Sequence, residues 1–200
     1  MAFYALFCMA CVLLVTVQGY PTAAGPASCL DLTPQHGASA QGSSSPYTLW
    51  VDTTSIKQGG MVTVTLNATA AGTTFKGFLV QARCTKCTTA DTAIVPGTFA
   101  KYTASDANII TMECENDAMN SMTHTNNDVK TSATFTWTAP ADWNVAEGIK
   151  FRATVVQVKV TWWTDVMSDE ISVTASSTSP VSPVTALVVA AFIAVSSLFP

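Results

Sequence analysis

Val62, Val64 and Leu66 alternate with Thr63 and Thr65, and Phe135 and Trp137 alternate with Thr134, Thr136 and Thr138. A period of two is the mark of a strand with one face packed inward and the other in water. Tyr47-Thr48-Leu49-Trp50-Val51, Gly77 to Arg83 and Ile109-Ile110-Thr111-Met112 are further short runs rich in β-branched and aromatic residues, with turn-forming composition between them. From Ile149 to Val155 the apolar positions are odd-numbered, whereas Val156, Val158, Val160 and Trp162 continue on even numbers. That phase slip predicts a bulge near Val155, or a strand that changes partners. No stretch sustains a 3.6-residue period, and Pro34, Pro46, Pro96 and Pro140 fall between the runs. Several short antiparallel-type strands in one domain predict an all-β sandwich.

Charge divides the chain into a middle and two ends. All 9 Lys+Arg and 13 Asp+Glu of the 200 residues lie between Asp31 and Glu170, for a net charge of −4. The middle is the size of one domain and large enough for a core. With 48% hydrophobic and 11% charged residues, the chain has the apolar surface to offset its ordering entropy, so intrinsic disorder is excluded for the middle. An acidic balance without a Lys/Arg run gives no long-range attraction to phosphate, so no nucleic-acid partner is expected.

Both ends read as addresses. Ala2 to Val17 is apolar except for Thr16 and precedes Gln18-Gly19-Tyr20-Pro21, which predicts a secretory signal peptide over residues 1–19, cut between Gly19 and Tyr20. No Lys or Arg precedes the run. At the other end, small Ala175 to Ser179, a spacer from Pro180 to Thr185 and the apolar Ala186 to Phe199 follow the order of a glycosylphosphatidylinositol attachment signal, with Ser176 or Ser177 as acceptor. A short tail-embedded helix from about Val181, or a tail that only marks secretion, are the alternatives. Residues 20–175 form the predicted domain and 176–200 the spacer and tail. The expected location is extracellular, on the outer face of the plasma membrane.

Removing the signal leaves Cys29, Cys84, Cys87 and Cys114, an even number for which disulfides are the default in an oxidising compartment. Three pairings are possible and spacing does not choose among them. Cys29 with Cys114 would close a loop of about 85 residues and stabilise by about 4 kcal/mol, leaving Cys84 and Cys87 as a small ring; this is the preferred pairing. As a C-x-x-C, the second pair also raises redox or zinc chemistry. A strand-like run precedes it and a loop follows, whereas a redox pair needs a helix N-terminus, and zinc would require Cys29 and Cys114 at irregular spacing. Asn67-Ala68-Thr69 is the sole N-x-Ser/Thr acceptor and predicts glycosylation of Asn67 at a strand end.

Several ordered strings carry a family resemblance: Tyr20-Pro21-Thr22, Thr33-Pro34-Gln35-His36-Gly37, Phe75 to Arg83, Pro96-Gly97-Thr98-Phe99, Thr123-His124-Thr125, Trp137-Thr138-Ala139-Pro140 and Phe151 to Val156, with Cys29 and Cys114. Over about residues 20–174 the chain resembles the reeler domain found at the start of reelin and the spondins. The resemblance implies an immunoglobulin-like antiparallel β-sandwich and a bond from the first Cys to one near Cys114. Stand-alone members of this kind are defence proteins of invertebrates, which implies a role in innate immunity with microbial surface glycans or lipids as partners. The Cys84/Cys87 pair departs from the family pattern. The same domain opens a ferric-chelate reductase, but that enzyme's haem-binding sandwich and cytochrome core have no counterpart in this sequence, so no haem or other cofactor is expected.

No Ser-His-Asp order, nucleophile elbow or H-E-x-x-H string occurs, so no catalytic residue and no enzyme activity are expected. His36 and His124 would approach each other if Cys29 and Cys114 are bridged, and Asp31 or Glu113 could then complete a metal site; the preferred reading is that each imidazole bonds a loop backbone. Glu113, Glu115 and Asp117 read as a solvated acidic rim, since they lack the glycine of a calcium loop. For ligands, Lys150 and Arg152 share a strand face, and Lys76, Arg83 and Lys86 lie along another run. Either set would suit anionic sugars, lipid phosphate or heparin if it is more than a wet sheet face. Trp143, Trp162 and Trp163 could stack on sugar rings, and one of the adjacent Trp162 and Trp163 is expected to face outward. The rival to a defence role is an adhesive module that binds host cell-surface or matrix glycans; the second is a redox-linked domain related to the reductase.

Overall fold

The computed structural model describes residues 22–87 and 93–176. Gly19, Tyr20, Ser177, the expected signal segment and the apolar tail lie outside them. In chain order the described strands are β1 (Tyr47–Val51), β2 (Ser55–Lys57), β3 (Met61–Ala68), β4 (Gly77–Cys84), β5 (Thr98–Lys101), β6 (Ile109–Cys114), β7 (Asp117–His124), β8 (Ser132–Thr138), β9 (Ile149–Val158), β10 (Thr161–Met167) and β11 (Ser172–Thr174). Among the described residues the only helical element is a 3-10 turn at Pro26–Ser28.

The strands form two facing sheets, β1-β3-β8-β5 and β10-β9-β4-β7-β6, with a small parallel pair of β11 and β2 at the side. All pairings within the two large sheets are antiparallel. This is the all-β sandwich expected from the alternating pattern. Val62, Val64 and Leu66 of β3 are buried, as are Phe135 and Trp137 of β8, while their threonine neighbours remain partly exposed. Aromatic rings join the layers: Phe135 stacks with Phe78 at 6.4 Å, and Phe151 meets Trp137 at 5.5 Å and Phe99 at 5.9 Å edge-on. Such contacts add about 0.5–1.5 kcal/mol each beyond the area they bury.

The phase slip has a local cause. The chain turns after Val158, so Val160 and Trp162 do not continue β9. Opposite Val155 the register then shifts, because Trp163 pairs with Val155 but Val166 with Ala153. Two residues of β10 therefore oppose one of β9, a bulge. Asp165 occupies it with φ +59°, a conformation that Asp tolerates better than most residues. Strand β7 went unread in the sequence because Asp117 to His124 is mostly polar or small. It enters as a hairpin with β6, where Cys114 pairs with Asp117 across Glu115 and Asn116, both at positive φ, the signature of a tight two-residue turn.

A third layer covers one face. All eight residues of β4 are buried, although only alternate side chains can point into the core. The others, Leu79, Gln81 and Arg83, lie under the segment from Ala24 to Ser43, which crosses the outer face of the five-stranded sheet. Disulfide Cys29–Cys114, with Cα atoms 5.4 Å apart, fastens this strap to β6. The Ala24 amide donates to Thr123 Oγ1 (3.1 Å), and the Gln41 amide to the Trp162 carbonyl (2.8 Å).

Candidate functional site

Beneath the strap, the polar side chains of the outer sheet face satisfy one another. Gln81 Nε2 donates to Ser121 Oγ (3.0 Å), Ser121 Oγ donates to Asn120 Oδ1 (3.2 Å), and Asn120 exchanges bonds with both backbone groups of Cys114 at 2.9 and 2.8 Å. Arg83, only 2% exposed, bonds Gln81 Oε1 and the carbonyl oxygens of Cys29 and Leu30. Burial, and secondarily Arg152, bring its pKa down to about 10, while Asp31 acts in the opposite sense. The expectation that Arg83 meets anionic ligands on a wet face is therefore corrected: the strap buries it.

Where the strap lifts off the sheet it leaves a cavity of about 360 Å³, within the roughly 300–1,000 Å³ of small-molecule sites. Leu79 of β4 and Val156 and Val158 of β9 form one wall, and Ala24, Leu32 and Pro34 of the strap form the other. Leu32 is 1% exposed and has φ +63°, a backbone strain on the order of 1–3 kcal/mol. Its amide is held by the Ser28 carbonyl at 2.9 Å, and Ser28 Oγ donates to the Thr33 carbonyl at 2.8 Å. The ionisable groups among the described lining residues are Lys76, Lys159, His36 and His124. The two histidines thus come to one cavity, although among the described residues no third ligand joins them. His124 Nδ1 accepts from the Phe78 amide at 3.2 Å, and its ring lies over Gly77, where a Cβ would sit 3.0 Å from the ring. His36 Nδ1 is buried without a hydrogen-bond partner. Sequence reasoning singled out both histidines but missed the cavity, because its walls come from segments more than 40 residues apart.

Of the other candidate residues, Arg83, Lys150 and Arg152 come together at one hollow and the rest lie apart. Trp162 and Trp163 do point to opposite sides, yet both are buried, at 3% and 9% exposure; the expectation of an outward, sugar-stacking tryptophan is overturned. Trp163 meets Tyr47 in the core at 5.5 Å, and Trp162 lies under the strap with Nε1 donating to the Ala38 carbonyl (3.2 Å). Trp143 is half-buried and donates to the Glu147 carbonyl (3.0 Å). Lys150 and Arg152 share the outer face of β9 and line a second hollow of about 490 Å³ with Arg83 and Asp165. Arg152 bonds the Asp165 carboxylate through Nε at 2.7 Å and Nη2 at 2.6 Å, so this hollow carries its own counter-charge. Lys86 pairs with Glu170 at 3.4 Å.

Cys84 and Cys87 are joined by a disulfide, and Glu147 Oε2 lies 3.0 Å from Cys87 Sγ. These three residues form the only metal-sized cluster among the described residues. With the four described cysteines in S–S bonds, no thiolate among the described residues remains for zinc. Glu113 and Glu115 are exposed beside the β6–β7 turn. Asn67 is the penultimate residue of β3 on the outer face of the four-stranded sheet, where it accepts from Ser132 Oγ (2.8 Å). Ser176 donates from Oγ to the Gln58 carbonyl at 2.8 Å.

A family profile described as the Reeler domain matches residues 27–179. This chain belongs to the Reeler family. Its sandwich superposes on the crystal structure of the human F-spondin reeler domain with a TM-score of 0.52, at 20% identity, covering 68% of this chain and 94% of that one. Defense protein l(2)34Fc of Drosophila melanogaster is 29% identical over 85% of this chain and 99% of its own length. Ferric-chelate reductase 1 of Mus musculus is 31% identical over 80% of this chain but only 25% of its own length, and a Danio rerio protein named for the same reductase is 36% identical over 28% of its length. The chain therefore spans about a quarter of the reductase relatives and nearly all of the defence protein.

Proposed function

We propose that this Reeler protein is an extracellular, non-enzymatic component of innate defence that recognises microbial surface glycans or lipids. The observation that carries the reading is coverage: likeness to Defense protein l(2)34Fc runs over 99% of that protein, whereas likeness to the reductase stops at about a quarter of its length. Two disulfides in a single domain suit an oxidising, extracellular compartment. Attachment to the outer membrane face by a lipid at Ser176 or Ser177, and a glycan on Asn67, complete the proposal.

The test is retention of the secreted protein on immobilised lipopolysaccharide, β-glucan and heparin. Retention on the microbial materials is expected. Binding to heparin alone would make the protein an adhesive module, and haem absorbance or ferric reduction by the purified protein would overturn the non-enzymatic assignment. Phospholipase release from cells tests the anchor; protein that stays bound, or is never bound, counts against it.

A further inference from the structure

We infer that the cavity under the strap is a binding site for a single-chain anionic amphiphile, one acyl chain bearing a carboxylate or phosphate head. The assignment deepens the reading of the protein as a binder and rests on it. Most of its wall area is apolar, from Leu32 and Pro34 above and Leu79, Val156 and Val158 below, with Ser28, Gln35, Asn127 and Thr154 as the uncharged polar lining, which suits a hydrocarbon chain with a polar head. The ionisable side chains among the described lining residues are of one kind. In a protein with 13 acidic and 9 basic residues, this lining holds Lys76, Lys159 and two histidines and no Asp or Glu. Lys76 and Lys159 are exposed, so an anionic head at the mouth can reach them while its chain lies inside. His36, half-buried in the same lining, adds a further basic side chain beside the lysines.

The hollow at Arg83, Lys150 and Arg152 is the weaker candidate for an amphiphile, because Asp165 already pairs with Arg152 and Met167 is the one large apolar side chain in its described lining.

The secreted protein is titrated calorimetrically with laurate, dodecyl phosphate and dodecanol, each below its aggregation concentration. The expected result is saturable binding of laurate or dodecyl phosphate, the stronger of the two identifying the head. The Lys76→Glu/Lys159→Glu double variant, changed only at exposed positions, weakens that binding about tenfold or more and leaves dodecanol unchanged. Val158→Glu, at a side chain 42% exposed, places a charge against the acyl chain and weakens all three. Binding of neither anion, or anion binding that the double charge reversal does not alter, overturns the site. A protein retained on lipopolysaccharide or β-glucan but indifferent to both anions loses this site and keeps the recognition role; one that binds none of these loses both.

Discussion

Arg83 Nη2 lies 3.0 Å from the carbonyl oxygen of Cys29, 54 residues away in sequence. The same nitrogen bonds the Leu30 carbonyl at 2.9 Å, so one β4 side chain holds the strap at the point where the Cys29–Cys114 disulfide also holds it. A buried cation is costly unless it is hydrogen-bonded, and the strap supplies two acceptors, the Cys29 and Leu30 carbonyls. Arg83→Met removes the donors and leaves the acceptors stranded, a loss of roughly 2–4 kcal/mol. Denaturant unfolding would show the loss, with faster proteolysis within residues 24–43. An unchanged midpoint would mean that Arg83 does not hold the strap.

The two disulfides are predicted to differ in weight. Cys29–Cys114 spans 85 positions and Cys84–Cys87 spans three, so chain entropy assigns about 4 kcal/mol to the first and about 2 kcal/mol to the second. Paired Cys→Ser variants compared by thermal unfolding should separate in that order. Equal losses would contradict it.

Trp162→Ala and Trp163→Ala are each expected to cost about 3–5 kcal/mol, since both rings are buried. Trp50, 55% exposed on the opposite sheet, is the control, and Trp50→Ala should change stability by less than about 1 kcal/mol. A mild Trp162→Ala would mean that the strap does not cover that ring.

Lys130 is 6% exposed, and its ammonium donates to the carbonyl oxygens of Lys76, Asn126 and Asp128 and to Asn126 Oδ1. Burial lowers its pKa below the usual 10.5, against the pull of Asp128 and Asp106. Between the folded and unfolded values the unfolded chain binds more protons, so this lysine's contribution makes stability rise with pH through that window and leaves it flat below. The difference in unfolding free energy between the parent and Lys130→Met should therefore increase towards pH 10.5. A difference independent of pH would refute the shift.

Gly97 lies against the Trp137 ring; a Cβ there would come 2.2 Å from Cζ2. Gly97→Ala is expected to displace that buried indole and lower stability by about 2 kcal/mol or more. Near-UV circular dichroism of the tryptophans is the direct readout.

Alternation in Met61–Leu66 and Phe135–Trp137, the absence of helical periodicity and an even cysteine count made the sandwich legible before any coordinates. Those signals are local: side chains on successive strand residues point to opposite faces, so a one-sided core writes itself into the sequence as a period of two. Whether an outward face meets water is not local. Arg83 and Trp162 occupy outward positions of β4 and β10, and only the long-range crossing of the strap buries them. The cavity has the same origin, since Leu32 and Pro34 reach Leu79 and Val156 through chain closure and no spacing rule encodes it. The sequence by itself thus determined the layers, their strands and the residues available for cross-links. Tertiary structure decided which polar face is covered, because covering depends on where a distant segment is tied down.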